Sequence, residues 1–132
     1  MPKIKVFVTI KNNIDNVVLK NQYDGFLNNE KLVYQEEERI VTIYEESNTI
    51  RMIRREKENS TFLTFKNNVT TKGTYEIVGY RPLEIEISTS LLEKKDRSYH
   101  ICYQTKVDKD IMGDFEVTIY YEVIGWKNGY KQ

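Results

Sequence analysis

The chain has 132 residues, a length that corresponds to a single domain. Its 20 Lys and Arg residues balance its 20 Asp and Glu residues, so the sequence offers no basic surface for nucleic acid or for an anionic membrane. No apolar run approaches the roughly 18 residues of a membrane-spanning helix. We therefore expect neither nucleic acid nor a membrane among the partners of this protein.

The cysteine content and the first residues favour a cytoplasmic protein. Cys102 is the single cysteine, and one cysteine cannot form an internal disulfide, which fits a reducing compartment. The chain begins Met1-Pro2-Lys3 and passes directly into an alternating pattern, without the apolar stretch of a secretion signal. We therefore predict a cytoplasmic location.

Composition and periodicity predict an all-β protein. The sequence contains 14 Ile, 11 Val, 11 Thr and 10 Tyr, which favour strands, and no alanine, the residue that most favours helices. Apolar and polar residues alternate along most of the chain, and the odd positions of Phe115–Val123 are all apolar. A period of two is typical of strands with one buried face. We expect no helix longer than two turns.

The same pattern predicts about ten strands joined by short turns. In chain order they are Lys3–Lys11, Asn16–Tyr23, Phe26–Leu27 with Lys31–Glu36 as a hairpin, Arg39–Glu45, Thr49–Arg55, Thr61–Lys66, Lys72–Val78, Leu83–Leu91, Ser98–Val107 and Asp114–Ile124. Asp24-Gly25 is predicted to break the second strand. Glu93–Asp96 is predicted to be a charged loop and Asp108–Gly113 the loop of the last hairpin.

Strands of this length with short turns predict a meander of antiparallel neighbours. An open sheet would expose two unpaired edges, and closure into a barrel removes them. We therefore predict a closed antiparallel meander β-barrel of about 8–10 strands, with room inside for side chains and at most a small ligand. Residues 1–125 form the predicted domain. Residues 126–132 form a C-terminal tail that either packs Trp126 on the barrel rim or is disordered.

An ordered set of short segments carries a resemblance to a known family. The segments are Leu32–Glu37, Ile50–Arg54, Thr64-Phe65, Gly73–Tyr75, Gly79, Leu83–Thr89, Tyr103 and Val117–Ile119. In this order and spacing, from Tyr23 to Val123, the chain resembles the small bacterial YwiB-like proteins, a family of unknown function; Arg81-Pro82 departs from the pattern. The resemblance implies a calycin-like barrel, the broad class of lipocalins and fatty-acid-binding proteins. It implies no activity, because a shared fold does not imply a shared function.

Arg54 is the residue with the most functional promise. It has the strand parity of Met52, while Glu36 has the parity of Tyr34 on a nearby strand. Three interpretations stay open. Arg54 points inward and is paired with Glu36 or a tyrosine; it binds an anionic group of a ligand; or it faces solvent, because Ile53 marks the inner face.

Three tyrosines complete the candidate ligand-binding set. Tyrosine packs well in sheets and keeps its hydroxyl near water, so an ordinary strand position explains each of them. Alternatively, several tyrosines converge on one lumen and donate hydrogen bonds to a ligand. The candidate ligand-binding residues are Arg54, Glu36, Tyr34, Tyr75 and Tyr103.

His100 and Cys102 are predicted to face solvent without a chemical role. Residues two apart on a strand are separated by about 6.6 Å, which is too far for a catalytic Cys–His pair. Their face also carries Gln104 and Lys106. We predict a free Cys102 thiol with no partner at bonding distance, no catalytic residue, no metal site and no cofactor.

No catalytic motif is present, and three classes of function stay open. The first is a non-enzymatic barrel that binds a small, partly apolar or anionic ligand. The second is an interaction or structural module with a filled interior and an outer face that forms a homodimer. Its predicted outer face contains Phe7, Val18, Val41, Ile43, Ile53 and Val78. The third, an enzyme with a site at the barrel mouth, has no support beyond the general supply of Glu, Tyr and Arg.

Overall fold

A computed structural model describes residues 1–126, which form ten strands and no helix. The strands are β1 Pro2–Asn12, β2 Val17–Asn28, β3 Lys31–Glu36, β4 Arg39–Glu46, β5 Thr49–Arg55, β6 Asn59–Phe65, β7 Thr70–Ile77, β8 Leu83–Lys95, β9 Ser98–Val107 and β10 Asp110–Trp126. Within this range no helix could cross a membrane. Of the predicted tail, residues 127–132 and the Trp126 side chain lie outside the described residues.

The ten strands form a closed barrel. Each strand pairs antiparallel with its sequence neighbours, and β1 also pairs with β10. Because β1 lies between β2 and β10, the first and last strands supply each other with hydrogen-bond partners. The prediction of an all-β, closed antiparallel meander barrel is therefore confirmed.

Apolar side chains fill the middle of the barrel. They alternate with more exposed positions along each strand, as expected for a sheet with one buried face. The buried set is Ile4, Val6, Val8, Leu32, Tyr34, Val41, Ile43, Ile50, Met52, Leu63, Phe65, Ile87, Tyr99, Ile101, Tyr103, Val117 and Ile119. Space for a ligand is therefore found toward the ends of the barrel rather than at its centre.

Two residues predicted for the outer face lie inside. Val41 and Ile43 are fully buried. Val41 pairs with Tyr34 and Ile43 pairs with Leu32 across the β3–β4 hairpin, and directly opposed residues point to the same side of a sheet. The predicted outer face is wrong at these positions because the pairing with β3 decides the orientation of β4.

The predicted break of the second strand at Asp24-Gly25 is also wrong. β2 continues to Asn28, and Gly25 lies opposite Tyr34 on β3. A Cβ atom at Gly25 would overlap the carbonyl oxygen of Val33. The glycine therefore permits a close approach of two strands rather than a turn.

Both predicted loops near the C-terminal hairpins are shorter than expected. β8 continues through most of Glu93–Asp96 to Lys95. The last hairpin turns at Asp108-Lys109 alone, where φ is 49° and 71°. Two successive positive φ angles define the tight turn that matches the twist of paired strands. The sequence lacks the glycine that usually marks such a turn, so the strands were predicted too short.

The meander places alternate turns at opposite ends of the barrel. The β1–β2, β3–β4, β5–β6, β7–β8 and β9–β10 turns lie at one end, which we call the arginine end because it carries Arg39 and Arg54. The remaining turns lie at the other end, which we call the lysine end because it carries Lys94. The arginine end has a cavity of about 170 Å³ and the lysine end one of about 400 Å³.

Candidate functional site

The Arg54 side chain lies on the inner face at the arginine end. Its cross-strand partners are Val41 on β4 and Thr61 on β6. Val41 is fully buried, as is Met52 two residues before Arg54. The Nε atom of Arg54 is buried, and the guanidinium lines the cavity of about 170 Å³. The period of two along β5 therefore brings a cation to the mouth of an apolar core.

Glu36 occupies the equivalent last inward position of β3. Its side chain is 13% exposed, and its Oε1 lies 3.8 Å from Nη1 of Arg39. Arg39 is the direct cross-strand partner of Glu36 in the β3–β4 hairpin. Among the described residues, no ion pair joins Glu36 to Arg54, so the expected Arg54–Glu36 pair is not formed. Because the β3–β4 hairpin is tight, Arg39 lies nearer to Glu36 than Arg54 does.

A hydrogen-bonded pair fixes the other arginine of this end. Arg39 Nε donates to Glu56 Oε1 at 2.8 Å, and Asn59 Nδ2 donates to Glu56 Oε2 at 3.1 Å. Both oxygens of Glu56 are therefore engaged, and charge-assisted bonds of this kind are stronger than neutral ones. Arg54 is left as the cation of the cavity whose charge the neighbouring carboxylates do not contact.

Three buried polar atoms at the arginine end have no hydrogen-bond partner in the described part of the chain. They are Arg54 Nε, the Tyr34 hydroxyl oxygen and Glu36 Oε1. An unpaired buried polar group costs about 1–3 kcal/mol, and native proteins hold few of them. The N–H of Arg54 and the hydroxyl of Tyr34 can each donate to an acceptor, whereas Glu36 Oε1 can only accept and already faces Arg39.

Two stacked tyrosines adjoin Glu36. The rings of Tyr23 and Tyr34 lie 5.4 Å apart between centroids. Burial raises the pKa of Tyr34 well above the ordinary tyrosine value, and the charge of Glu36 raises it further while that of Arg54 opposes the shift. Burial also raises the pKa of Tyr23, with a further contribution from the charge of Glu36 and a side-chain hydrogen bond to it. Both hydroxyls therefore stay protonated at neutral pH; that of Tyr23 bonds to Glu36, and that of Tyr34 is free to donate.

The remaining predicted site residues divide between two cavities. Tyr75 lies opposite Thr61 and lines the same cavity as Arg54. Tyr103 is packed between Phe65 and Phe115, with ring centroids 4.6 Å and 5.3 Å away. It lines a third cavity, of about 450 Å³, beside the β6–β7 turn. Arg54 and Tyr75 thus share a cavity that Glu36, Tyr34 and Tyr103 do not line. The charge of Arg54 nevertheless lowers the pKa of both Tyr34 and Tyr103 against the larger effect of burial.

Sequence analysis missed Arg39, Glu56 and Tyr23. Arg39 and Glu56 adjoin tight turns, where strand parity does not predict direction. The available signal was a basic residue directly after the acidic run Glu36–Glu38, a pattern that favours a charge pair across a hairpin. Tyr23 was missed because β2 was predicted to end there.

The size and lining of the cavity limit what it can bind. A volume of 170 Å³ corresponds to about five or six water molecules. Pockets for whole drug-sized molecules measure about 300–1,000 Å³. The lining contains the donor groups of Arg54, Thr61 and Tyr75. Such a cavity has room for a carboxylate or a phosphate group, but not for an enclosed lipid.

The outer face of β9 differs from prediction. Cys102 Sγ lies 3.9 Å from His100 Nε2, and Glu116 Oε2 lies 2.8 Å from the same nitrogen. The backbone positions are about 6.6 Å apart, but the imidazole of His100 is long enough to bring its Nε2 near the short Cys102 side chain. The prediction that Cys102 has no partner at bonding distance is therefore wrong.

No family model matches the sequence, and no curated protein matches it. Among solved structures, the chain is similar to the ywiB protein from Bacillus subtilis, with 13% identity and a TM-score of 0.45 over 92% of this chain and 89% of that chain. Similarity at this level carries no argument about family or activity. Membership of the YwiB-like family therefore stays a prediction, and function has to be argued from the site.

Proposed function

We propose that the protein is a non-enzymatic binding protein that takes a small anionic group on Arg54 at the arginine end. One observation carries the proposal: within residues 1–126, the buried Nε of Arg54 has no hydrogen-bond partner although the guanidinium lines a cavity. A guanidinium presents its N–H donors in a fork that matches a carboxylate or a phosphate. An anion in the cavity would supply the missing acceptor.

The neighbouring acidic groups support a ligand rather than an internal ion pair. Glu56 is engaged by Arg39 and Asn59. Glu36 interacts with Tyr23 and lies near Arg39. Arg54 as a whole is half-buried, but its Nε is withdrawn from solvent. An acceptor for this buried N–H would therefore stabilise the protein.

The filled core sets the form of the proposed ligand. Apolar side chains occupy the middle of the barrel, so the anionic group sits in the mouth and the rest of a larger ligand extends outward. This differs from a lipocalin-type ligand enclosed in the lumen, and the calycin-like class is kept here as a proposal about the barrel alone. We propose the bacterial cytoplasm as the setting, on the sequence argument from Cys102 and the family resemblance.

Titration with simple anions tests the proposal. Inorganic phosphate, sulfate, acetate and succinate are added separately to the 15N-labelled protein at constant ionic strength. We expect one or more of them to shift the Arg54 side-chain Nε–H resonance and the amides of Thr61 and Tyr75. Arg54→Gln should weaken the anion affinity, measured from the Thr61 and Tyr75 amide shifts, at least tenfold, because the fork of donors is lost.

Arg51→Gln is the matched control for this titration. Arg51 lies on the same strand and faces outward, where its Nη1 donates to Thr64 Oγ1 at 3.2 Å. The substitution removes the same unit of charge without touching the cavity, so binding should be unchanged. An equal loss in both variants would show general electrostatic attraction and would contradict the proposal, as would a wild-type protein that responds to none of the four anions.

The edge of β2 favours a second candidate function, an interaction module that forms a homodimer. In the described structure β3 pairs with β2 from Gly25 to Asn28, so Val17–Asp24 are hydrogen-bonded to β1 alone. Val17, Val18 and Leu19 are 47%, 48% and 55% exposed. We propose that two copies pair antiparallel along this edge about a twofold axis, because an open strand edge is a template for another strand.

Light scattering after gel filtration tests the dimer. Wild-type protein should elute with twice the mass of the chain, and Leu19→Lys should be monomeric, because a charge on an edge opposes strand addition. The thermal unfolding midpoint of the variant shows whether its fold is intact. A wild-type protein that is monomeric at the highest soluble concentration would rule this function out.

A further inference from the structure

Four potential metal-binding or metal-orienting side chains meet on the outer face of β8, β9 and β10, away from the arginine end. His100 and Cys102 lie on β9. Glu116 on β10 is the direct cross-strand partner of Cys102, and Glu93 on β8 is that of His100. One ligand atom each from His100, Cys102 and Glu116 lies within 4.8 Å of the other two. Three different ligand types are thus held together by strand register.

A β-bulge in β8 brings Glu93 to this face. Thr89 is buried inside the barrel, and the register of β8 against β9 shifts between Thr89 and Leu91. After the shift Leu92 packs against the core, and Glu93 lies opposite His100. One extra residue inverts the facing of every residue that follows it in the strand. Without the bulge, Glu93 would point into the barrel.

The distances between ligand atoms agree with a tetrahedral site after small movements. Cys102 Sγ is 3.9 Å and Glu116 Oε2 is 2.8 Å from His100 Nε2. Metal bonds of about 2.3 Å to sulfur and about 2.0–2.2 Å to nitrogen or oxygen place tetrahedral ligand atoms roughly 3.3–3.6 Å apart. These two separations therefore have to change by about half an ångström or less, which side-chain rotation can provide on a fixed sheet. The third, between Cys102 and Glu116, is at most 4.8 Å.

His100 already has the orientation of a metal ligand. Its Nε2 faces Cys102 and Glu116, while its Nδ1 lies 3.8 Å from Glu93 Oε1. A metal-bound histidine commonly donates its second N–H to a carboxylate, which sets the tautomer and the plane of the ring. The Nε2 of His100 thus faces the other two ligands, and Glu93 has to approach Nδ1 from 3.8 Å to hydrogen-bond distance to take the orienting role.

We propose that His100 Nε2, Cys102 Sγ and Glu116 Oε2 bind one divalent cation of the Zn²⁺ type, with Glu93 positioning His100 and water as the fourth ligand. Thiolate and imidazole select zinc-like ions over Mg²⁺ and Ca²⁺, which take oxygen ligands. Binding releases the thiol proton to solvent. The side chains of His100 and Glu116 are 35% and 46% exposed, so the ion enters directly from solvent. Three protein ligands and a water is the ligand count of catalytic rather than structural zinc sites.

Cobalt titration of the metal-free, phosphine-reduced protein tests the site. Co²⁺ should bind one per chain and give a thiolate-to-cobalt charge-transfer band together with strong visible bands of a tetrahedral ion. Zn²⁺ should displace it. Cys102→Ser should abolish the charge-transfer band, and His100→Asn and Glu116→Gln should each weaken binding at least tenfold. Glu93→Gln, which removes the orienting group, should weaken binding by about 10–100-fold and keep the band.

Glu122→Gln is the matched control. Glu122 lies on the same strand and face as Glu116, where its Oε1 accepts from the Tyr120 hydroxyl at 3.3 Å. Its substitution should leave cobalt affinity unchanged. Thermal melts of each metal-free variant establish that it is folded, and protection of the wild-type Cys102 thiol from alkylation by Zn²⁺ gives a readout that needs no variant.

Three results would overturn the site. The first is a wild-type protein without the charge-transfer band at excess Co²⁺. The second is an unchanged cobalt affinity in Cys102→Ser, because binding would then come from carboxylates alone. The third is an equal loss of affinity in Glu122→Gln and Glu116→Gln, because binding would then follow the charge of the surface rather than the ligand set.

Discussion

The end of the barrel with the larger cavity has fewer buried polar atoms without a hydrogen-bond partner than the end with the smaller cavity. The lysine end has the larger cavity, about 400 Å³ against about 170 Å³. Two of its charged groups are paired with each other: Lys94 Nζ donates to Glu45 at 3.3 Å and lies 5.9 Å from the centre of the Tyr99 ring. In the described residues, none of the buried polar atoms that lack a partner belongs to the lining of this cavity.

The arginine end is smaller but chemically incomplete. It holds buried polar atoms of Tyr34, Glu36 and Arg54 that have no hydrogen-bond partner in the described residues. Volume costs the protein little when the cavity is open to water, whereas each buried polar atom without a partner lowers stability until something binds it. Polar atoms without a partner, rather than cavity volume, are therefore the basis for proposing a site at the arginine end. The other such atom in the described residues, Thr89 Oγ1, belongs to a residue that lines the cavity of about 450 Å³ beside the β6–β7 turn.

The largest expected effect follows from replacing Tyr34. Tyr34→Ala should lower the free energy of unfolding by about 3–5 kcal/mol, because it empties a fully buried aromatic position. Tyr34→Phe removes a hydroxyl that has no partner in the described structure, so it should change stability by at most about 1 kcal/mol, and upward. Urea unfolding of both variants measures the difference. A Tyr34→Phe protein destabilised by several kcal/mol would mean that the hydroxyl is already bonded and that the arginine end is as complete as the lysine end.

Alkaline pH should destabilise the protein through its buried tyrosines. Burial raises the pKa of Tyr34, Tyr99 and Tyr103 above the ordinary value. In the unfolded chain tyrosine ionises near pH 10, so above about pH 10 the unfolded state binds fewer protons than the folded state. The stabilising contribution is therefore full below that pH and is lost as the pH rises, at about 1.4 kcal/mol per pH unit for each such tyrosine.

Phenylalanine variants show how much of this loss of stability at high pH comes from the tyrosine at each end of the barrel. Urea unfolding is repeated from about pH 9 to about pH 11. Tyr34→Phe should remove one tyrosine's share at the arginine end, and Tyr99→Phe one share at the lysine end. If neither variant reduces the fall of the free energy of unfolding with rising pH, both phenols ionise as freely in the folded protein as in the unfolded chain.

A smaller effect is expected from the carboxylates beside each cavity. Glu56→Gln breaks the 2.8 Å bond from Arg39 and should cost about 0.5–1 kcal/mol of stability. It should also strengthen phosphate binding, because it removes a negative charge from the lining of the cavity and leaves Arg39 with Glu36, at 3.8 Å, as its remaining counter-charge. Glu45→Gln, the matched change at the lysine end, should leave phosphate binding unaltered. Equal effects of the two variants on phosphate affinity would place the anion outside the arginine end.

The smallest effect is expected at Lys94. Its ion pair with Glu45 is 3.3 Å long, and both side chains are nearly half exposed. Exposed pairs of this kind contribute about 0.2–1 kcal/mol. Lys94→Met should therefore lower the free energy of unfolding by at most about 1 kcal/mol and leave phosphate binding unchanged. A larger loss in urea unfolding would show that the Lys94–Glu45 ion pair stabilises the lysine end more than an exposed pair does.

The sequence by itself determined the class of structure and the direction of several side chains. Side chains along a strand alternate between its two faces, so both the strand and the facing of its residues can be predicted from neighbours along the chain. An inward Arg54 and Glu36 were among the alternatives predicted for this reason, and the structure places both side chains on the inner face. The same method failed for Val41 and Ile43, because apolar residues occupy both faces of Ile40–Tyr44 and the period of two is lost there.

The tertiary structure decided which side chains meet across strands. Glu36 lies beside Arg39 rather than Arg54, because the β3–β4 hairpin sets the register. Glu93 and Glu116 join His100 through the β8 bulge and the β9–β10 pairing. Register depends on turn length and on single inserted residues, and a one-residue slip reverses every facing. No pattern within one strand contains that information, so both proposed sites became visible when the strands were paired.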